Sequence, residues 1–478
     1  MRYGWTGKRL NVNLTSGDIW VEEIDDEVLM SVLGGRGLNI HTLLNNHIDG
    51  TEYDSEENII CFAAGTLTGT NVPSSGRYSV ASKSPLTGLL GDANSGGFFG
   101  PEIKYAGYDQ IVISGKSKTP VYLGINDDKI EIRDAEHLWG KDVWFTEEQI
   151  KSELNDQDVQ IASIGQAGEN LVRFAAVMNN LSRAAGRTGM GAVMGAKRLK
   201  AIVVKGTKGV KIARPEEVLK LNKDLINAMY GAASFKARST LGTSMLVSLY
   251  NIMGTLPTRN GKDSVFEGAD DISGEVLAEN YKTKSKACFA CPVRCSHYLN
   301  IEQGEFAGSH GEGVEFETMC SLGSNVGNKD LASIVHANNL CNKYGLDTLS
   351  TGGVIAFLME CYEKKLITKD KTDGLDLTWG NSNSVVKLIE KIALREGVGN
   401  LLAEGVKRVS DTIPGSQDFA LTVKGMEVPS QDIRGLKAWG LGWAVSSRGA
   451  DHCRAFPLAE TTWSKEEVKR VFGTTEAA

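Results

Sequence analysis

The chain has 478 residues, 41% of them hydrophobic, and a formal net charge of -7, enough for two or three domains, each with its own core. Lysines and arginines are dispersed through a mildly acidic sequence, which argues against nucleic acid or an anionic membrane surface as a partner and leaves small-molecule chemistry. Residues 1–14 lack the apolar core of a secretory signal and no later stretch approaches the roughly 18 apolar residues of a membrane span, so the expected address is the cytoplasm.

Leu10, Val12 and Leu14 alternate with polar residues before Thr15-Ser16-Gly17-Asp18, and a second run follows through Ile19 and Val21, a hairpin pattern. Similar runs at 110–114, 121–125, 129–133 (after Asn126-Asp127-Asp128) and 201–205 predict a strand-rich N-terminal domain, with glycine-dense loops between the strands. From Arg214-Pro215-Glu216-Glu217 onward the period becomes helical. Asp330 is placed to cap a helix with Leu331, Ile334 and Val335 on one face, 354–362 and 385–394 read the same way, and Ser464 with Glu467 forms a capping box ahead of Val468 and Val471. The expected fold class is α+β, a β-sheet-rich domain at 1–210 followed by mainly α-helical domains at 211–415 and 416–478, the last cut short soon after its helix begins. No short repeat or low-complexity segment interrupts this order.

Of the eight cysteines, Cys288, Cys291 and Cys295 form C-x2-C-x3-C, with Pro292 after the second. This spacing suits thiolates around a compact inorganic centre in a reducing compartment. Iron–sulfur, zinc and merely buried thiols are the three readings. Zinc lacks the second C-x2-C or H-x3-H pair it usually takes, because His297 is the only nearby imidazole. None of Cys61, Cys320, Cys341, Cys361 and Cys453 announces itself as a fourth ligand, and Cys361 reads as a core residue.

Two segments, 91–100 and 183–195, carry glycines at a density that suits close approach of the backbone to a ligand. Amide groups can there converge on an anion, with Arg183 and Arg187 as forked phosphate donors. The plainer reading is a pair of tight turns between strands. Neither segment is a Walker loop or a Rossmann fingerprint, so a large phosphate-bearing cofactor approached from several loops fits better than a nucleotide.

Taken together, these segments resemble the aldehyde:ferredoxin oxidoreductase family of tungsten- and molybdenum-pterin enzymes. The resemblance runs through Gly4-Trp5-Thr6-Gly7, Arg9-Leu10-Asn11-Val12-Asn13-Leu14, Gly34-Gly35-Arg36-Gly37, Gly65-Thr66-Leu67-Thr68-Gly69, Ser75-Gly76-Arg77, Asn94-Ser95-Gly96-Gly97 and Tyr105-Ala106-Gly107-Tyr108-Asp109. It continues through Arg183-Ala184-Ala185-Gly186, the cysteine cluster, Glu315-Phe316-Glu317-Thr318, Tyr344-Gly345-Leu346-Asp347-Thr348 and Asp451-His452-Cys453-Arg454. It implies a sheet domain that forms the base for a tungsten- or molybdenum-bis-pterin, with helical domains closing over the metal. The four dithiolene sulfurs then hold the metal, and no side chain need do so.

By the same resemblance, Asn94, Ser95, Gly96 and Gly97, with the backbone at Arg183 and Ala184, lie by the magnesium and phosphates that join the pterins. Arg77 sits between cluster and pterin, Asn342, Gly345, Leu346 and Asp347 grip one pterin, and Arg454 assists at its phosphate or ring. Cys288, Cys291 and Cys295 ligate a [4Fe-4S] cluster. Glu317 is implied as general base and His452 as hydrogen-bond donor to the reacting oxygen, although either residue alone reads as an ordinary surface or structural group. Asp347 could equally cap the helix after Gly345.

The implied activity is oxidation of a small aldehyde, with electrons leaving one at a time to ferredoxin or a dedicated iron–sulfur subunit, and an oligomer is expected. Asn342 stands where the family often has Asp, and Val314 and Phe316 replace a more usual Pro and Tyr. Members of the family usually run further, into a second D-x-x-G-L motif bearing the fourth cluster cysteine, so a fragment or completion by another chain is expected. Rival readings are a benzoyl-CoA reductase-type or carboxylate-reducing subunit of the same family, and an inactive cofactor-binding or electron-transfer subunit. A radical S-adenosylmethionine enzyme is disfavoured, because its C-x3-C-x2-C order is reversed here.

Overall fold

The computed structural model describes residues 2–475; positions 1 and 476–478, the outer ends of the first and third expected domains, lie outside them. The N-terminal alternation forms the expected hairpin: β1 (Lys8–Asn13) pairs antiparallel with β2 (Ile19–Glu23), Leu10 opposite Val21 and Val12 opposite Ile19. Its turn closes because the Asn13 carboxamide oxygen accepts from the amides of Thr15 (2.9 Å) and Ser16 (3.2 Å), and Gly17 adopts φ +80°.

Four more strands, β3 (Ile60–Ala64), β4 (Tyr78–Lys83), β5 (Leu90–Ser95) and β6 (Gln110–Ser114), complete a six-stranded sheet in the order β2-β1-β6-β3-β4-β5. In this sheet only β1 and β6 run parallel. A second six-stranded sheet is built from β7 (Val121–Asn126), β8 (Lys129–Asp134), β9 (Gln160–Ser163), β10 (Val177–Asn179), β11 (Arg183–Ala185) and β12 (Leu199–Lys205), ordered β11-β10-β9-β12-β7-β8.

The helices Phe99–Tyr105 and Met190–Ala196 touch strands of both sheets and fill the layer between them. Leu10, Phe62 and Val80 from one sheet and Leu123, Ile202 and Val204 from the other share that core, so burial on both sides holds the sheets together. This packing brings the edge strand β5 against the edge strand β11, which unites the segments around Asn94 and Arg183.

The C-terminal half follows its capping signals. The Asp330 carboxylate accepts from the amides of Ala332 (3.1 Å) and Ser333 (3.3 Å) to open the helix Leu331–Tyr344, which Gly345 ends at φ +74°. Leu331, Ile334 and Val335 are buried as their spacing predicts. The helices Thr348–Glu363 and Ser382–Leu394 cover the other two apolar runs, and the Ser464/Glu467 capping box opens the helix Lys465–Phe472.

This half is nevertheless not all helix. The strands β13 (Lys282–Lys286), β14 (Ser296–Asn300) and β15 (His310–Gly313) form an antiparallel sheet that frames the cysteine loop, and β16 (Thr422–Val423) with β17 (Met426–Glu427) makes a small hairpin. The sequence Lys-Thr-Lys-Ser-Lys of β13 is largely exposed and has no apolar alternation to read. Among the described residues no helix is long and apolar enough to cross a membrane. Asp330→Ala should lower stability by about 1 kcal/mol in denaturant unfolding monitored by circular dichroism, because two amides lose their acceptor.

Candidate functional site

Cys288, Cys291 and Cys295 lie on the loop between β13 and β14, all part-buried. Ala290 and Arg294, each just before a cysteine, take left-handed φ values of 51° and 52° and turn the loop back on itself. The loop is seated on the strand domain: the Phe289 amide donates to the Gly97 carbonyl (3.1 Å), the Ser74 amide to the Ala290 carbonyl (2.8 Å), and the Ser74 hydroxyl lies 3.4 Å from Cys291 Sγ. A Cβ on Gly96 would stand 2.7 Å from Cys288 Sγ, and one on Gly76 2.8 Å from Phe289 Cβ.

Gly76, Gly96 and Gly97 admit other parts of the protein, Gly97 lying against Asn179 and Asn180, while Gly189, Gly191 and Gly195 admit the carbonyls of Arg173, Ala176 and Gly168. In both segments the close approach the glycines permit is to protein atoms.

The three sulfurs are not all within 4.8 Å of one another, whereas thiolates on one tetrahedral zinc sit about 3.8 Å apart given Zn–S bonds near 2.3 Å. Burial, Glu315 and the neighbouring thiols push the Cys295 thiol up to about 11, with Arg183 opposing. A bound cation at the loop would favour the thiolate form of Cys295. The other cysteines lie elsewhere: Cys61, Cys320, Cys341 and Cys361 are buried, Cys361 in the apolar core as its setting suggested, and Cys453 is exposed beside His452.

Arg183 links this loop to the pterin-type motifs. Its guanidinium pairs with Glu312 and also feels Cys288, Glu315 and Cys295; against the downward pull of burial these raise its pKa. The Glu312 carbonyl in turn accepts from Asn338 (3.2 Å) and Asn342 (3.5 Å). Arg77, exposed, holds the Asn94 carboxamide oxygen; Ala184 is exposed on β11, paired with Met178.

Asp347 does what its alternative reading proposed. It caps the helix Thr348–Glu363 through the Leu349 amide (3.3 Å), and it also pairs with Arg187 at 3.2 Å. Gly345 and Leu346 are pinned to the strand domain, the Gly345 carbonyl accepting from the Ala176 amide at 2.8 Å and Leu346 bridging to Ala175.

Arg454 pairs with Asp92 and lies 3.4 Å from Asp451. Asp92, Arg448 and Asp451 complete that network and carried no sequence signal beyond the Asp451-His452-Cys453-Arg454 run. Ser95 Oγ, Arg187 Nη1 and His452 Nδ1 are buried polar atoms without a hydrogen-bond partner. Orphaned buried donors of this kind are what a multiply charged cofactor satisfies.

Glu317 opens the helix Phe316–Ser321 and is 9% exposed. Its carboxylate accepts from the Ser430 amide (2.9 Å) and the Gln431 side chain (2.7 Å), and its Oε1 lies 3.7 Å from His452 Nε2. Ser430 and Gln431 are site residues that sequence reading missed, since a lone Ser-Gln pair in a loop has no pattern. Burial pulls the His452 imidazole down, but Glu317, then Cys453 and Asp451, outweigh it and hold the ring at about 9. His452 is thus imidazolium at neutral pH, and its pairing stabilises the fold fully below its unfolded value, the stability being lost as pH rises through about 9.

A thiol-lined loop, an arginine-rich seam with unpaired donors and a buried carboxylate–imidazolium pair on two apposed sheets define an oxidoreductase of the cofactor-bearing kind. The family described as "Aldehyde ferredoxin oxidoreductase, N-terminal domain" matches residues 9–206, and "Aldehyde ferredoxin oxidoreductase, domains 2 & 3" matches residues 220–477. The chain belongs to the aldehyde ferredoxin oxidoreductase family. It is 45% identical over 460 residues to the tungsten-containing aldehyde ferredoxin oxidoreductase of Pyrococcus furiosus, covering 96% of this chain and 75% of that protein. It is 31% identical to the aliphatic sulfonate oxidoreductase, WOR-like subunit of the same organism, covering 98% and 78% of the two chains. Among solved structures, the active site complex BamBC of benzoyl coenzyme A reductase with 1,5-dienoyl-CoA superposes with a TM-score of 0.80 at 33% identity, covering 90% of this chain and 67% of that one.

Two substitutions check the site. Gly96→Ala should unseat the cysteine loop, lowering stability by about 1–3 kcal/mol in denaturant unfolding. Glu317→Gln removes the leading charge on His452, so the ring should titrate below about 9 by NMR; titration still at about 9 would show that Cys453 and Asp451 hold the charge instead.

Proposed function

We propose that this chain oxidises small aldehydes to carboxylic acids and passes the electrons, one at a time, through a [4Fe-4S] cluster at Cys288, Cys291 and Cys295 to ferredoxin or a dedicated iron–sulfur subunit. The observation that carries the reading is the buried Glu317–His452 pair, 3.7 Å apart, its carboxylate held by Ser430 and Gln431. The relatives named as tungsten-containing aldehyde ferredoxin oxidoreductases, at 44–46% identity, support the substrate class. The C-x2-C-x3-C spacing, without the second C-x2-C or H-x3-H pair that zinc usually takes, supports the cluster.

Residues 1–210 serve as the cofactor base, with 211–415 and 416–478 closing over it. Asn94, Ser95, Gly96, Gly97, Arg183 and Ala184 would hold the magnesium and phosphates of the cofactor, Arg77 would serve between cluster and pterin, and Asn342, Gly345, Leu346, Asp347 and Arg454, with Arg187 added, would hold the pterin. When bound, the tungsten- or molybdenum-bis-pterin supplies the two-electron acceptor, its metal held by the dithiolene sulfurs.

The chain's own chemistry is proton handling. Aldehyde and water give the acid, two electrons and two protons. Glu317 takes a proton from the water that adds to the carbonyl carbon, and the His452 imidazolium donates Nε2–H toward the carbonyl oxygen as charge builds there. Ser430 and Gln431 fix the carboxylate so that it is aimed before substrate arrives.

Anaerobically purified protein should hold about one tungsten or molybdenum and about four irons per chain and reduce a viologen dye with a short-chain or aromatic aldehyde. In Glu317→Gln the metals should stay while kcat falls roughly 10²–10⁴-fold. Zinc at the cysteines, no pterin, or full activity in Glu317→Gln would overturn the reading.

A further inference from the structure

The helix Thr348–Glu363 is buried almost all round, yet Ser350, Gly353 and Glu360 fall on one face of it. Ser350 Oγ lies 3.0 Å from Asp347 Oδ2 and 2.6 Å from Glu427 Oε2, and all three side chains are buried. A hydroxyl has one hydrogen to give. Asp347 also faces Arg187 and accepts the Leu349 amide. Ser350 can donate to only one of the two carboxyls, so for both contacts to be hydrogen bonds a further hydrogen must come from a carboxyl, and Asp347 already has Arg187 beside it while Glu427 has no paired cation.

The cations near Glu427 are otherwise engaged. Arg187 donates to the Glu427 backbone carbonyl (2.6 Å) and pairs with Asp347, while Arg408 donates to the carbonyls of Leu86 (2.8 Å) and Pro85 (3.3 Å). The other Glu427 oxygen accepts the Val406 amide, at 2.8 Å. Burial raises this carboxyl's pKa, with Ser350, the amides and Arg187 opposing.

Beyond Glu427 lies a cavity of about 30 Å³ whose walls include Asn260, Cys320, Gly353, Glu427 and Ser430, polar enough and large enough to hold water. Gly353 keeps its side open, since a Cβ there would stand 3.1 Å from Glu427 Cγ. On the inner wall the Ser430 amide is the one that holds Glu317. On the outer wall Asn260 donates to Glu360 (2.7 Å), which pairs at 3.5 Å with Lys364, 47% exposed.

We propose that Glu427 is a proton-loaded acid, and that the file Glu317–cavity–Glu427–Glu360–Lys364 is the route by which protons of the reaction reach solvent. The inference rests on the aldehyde-oxidising reading for its proton source. The step is proton transfer alone: a proton enters from Glu317 through cavity water, the acid proton of Glu427 returns to that water and passes Asn260, on the cavity wall, to Glu360, and Glu427 is recharged. No electron and no other bond is exchanged. Glu427 touches neither substrate nor metal in this role and acts through water and its neighbours.

The test uses the intact holoprotein, with Glu427→Gln as the neutral isostere and Glu360→Gln at the outer end. Infrared spectroscopy at neutral pH should show a buried carboxylic acid band, shifting in D2O, that Glu427→Gln removes and Glu360→Gln keeps. With metal content and melting temperature unchanged, kcat for aldehyde-dependent dye reduction should fall about 10-fold or more in both variants, with KM unchanged and an enlarged solvent isotope effect. No band lost in Glu427→Gln would show an ionised Glu427 and overturn the proposal, as would unchanged kcat and isotope effect in the two variants. If Glu427→Gln does not fold, Glu360→Gln decides by the same kinetic criteria. Absence of aldehyde oxidation in the wild type is a different failure, that of the functional reading, and leaves the infrared result to decide Glu427's protonation by itself.

Discussion

The ion pair between Arg187 and Asp347 is the joint on which the site's assembly depends. Both side chains are nearly out of solvent, at 7% and 4% exposure, and their charged atoms are 3.2 Å apart. Arg187 follows β11 of the strand domain, and Asp347 caps a helix of the C-terminal half. A buried pair of this kind stabilises little relative to an apolar one, but losing either partner costs about 3–5 kcal/mol because a charge is stranded. The pair is tolerable here because its spare valences are used. Asp347 also receives the Leu349 amide and Ser350, and Arg187 reaches the Glu427 carbonyl on β17. Strand domain, helix cap and hairpin are thereby fixed to one another around a single charge contact.

From that joint the seam runs outward as alternating charges. Arg183 faces Glu312 at the edge of the cysteine loop, and Arg448 and Arg454 alternate with Asp92 and Asp451 on the other flank. Burial lifts the pKa of Asp92 despite Arg448 and Arg36 beside it, a sign of how dry this flank is. Arginine suits such a place better than lysine, because five donors in a planar fork let one residue satisfy a carboxylate and still present N–H groups elsewhere. The unpaired Nη1 of Arg187 is a direct instance.

Much of this was legible in the sequence, and the reason is local. The hairpin at Lys8–Glu23, the Asp330 cap with its apolar face, and the Ser464/Glu467 box are each specified within a few residues, by alternation or by a side chain meeting a nearby amide. The cysteine spacing was likewise readable, but the sheet around it was not, because β13 carries no apolar residue and owes its strand conformation to pairing with β14. The glycine-dense segments were legible as places of close approach, and the neighbours seen there are protein atoms, because density signals close approach without saying to what. Ser430, Gln431, Glu427 and Asp92 had no signature at all. Each is a single polar residue whose partner lies far along the chain, Glu427 being 77 positions from Ser350 and Ser430 113 from Glu317.

The seating of the cysteine loop shows how a missing atom can set a functional distance. Gly76 and Gly96 allow Phe289 and Cys288 to rest directly on the strand pair that carries Arg77 and Asn94, where any side chain would force the loop outward. Arg183 then bridges from the neighbouring edge strand to Glu312, on β15 of the sheet that frames that loop. The cysteine loop and the arginine-rich seam are thereby held in contact by backbone packing on one side and by a charge pair on the other. Carboxylates with protons to move lie on the opposite side of Asp347, along the helix Thr348–Glu363, where the environment is apolar and the cations are already paired. Glu315 is the carboxylate that faces the Cys295 thiol, whereas the Glu427 carboxyl meets Ser350 and the Val406 amide on other elements. The proposed electron and proton routes therefore need share only the site between Glu317 and His452.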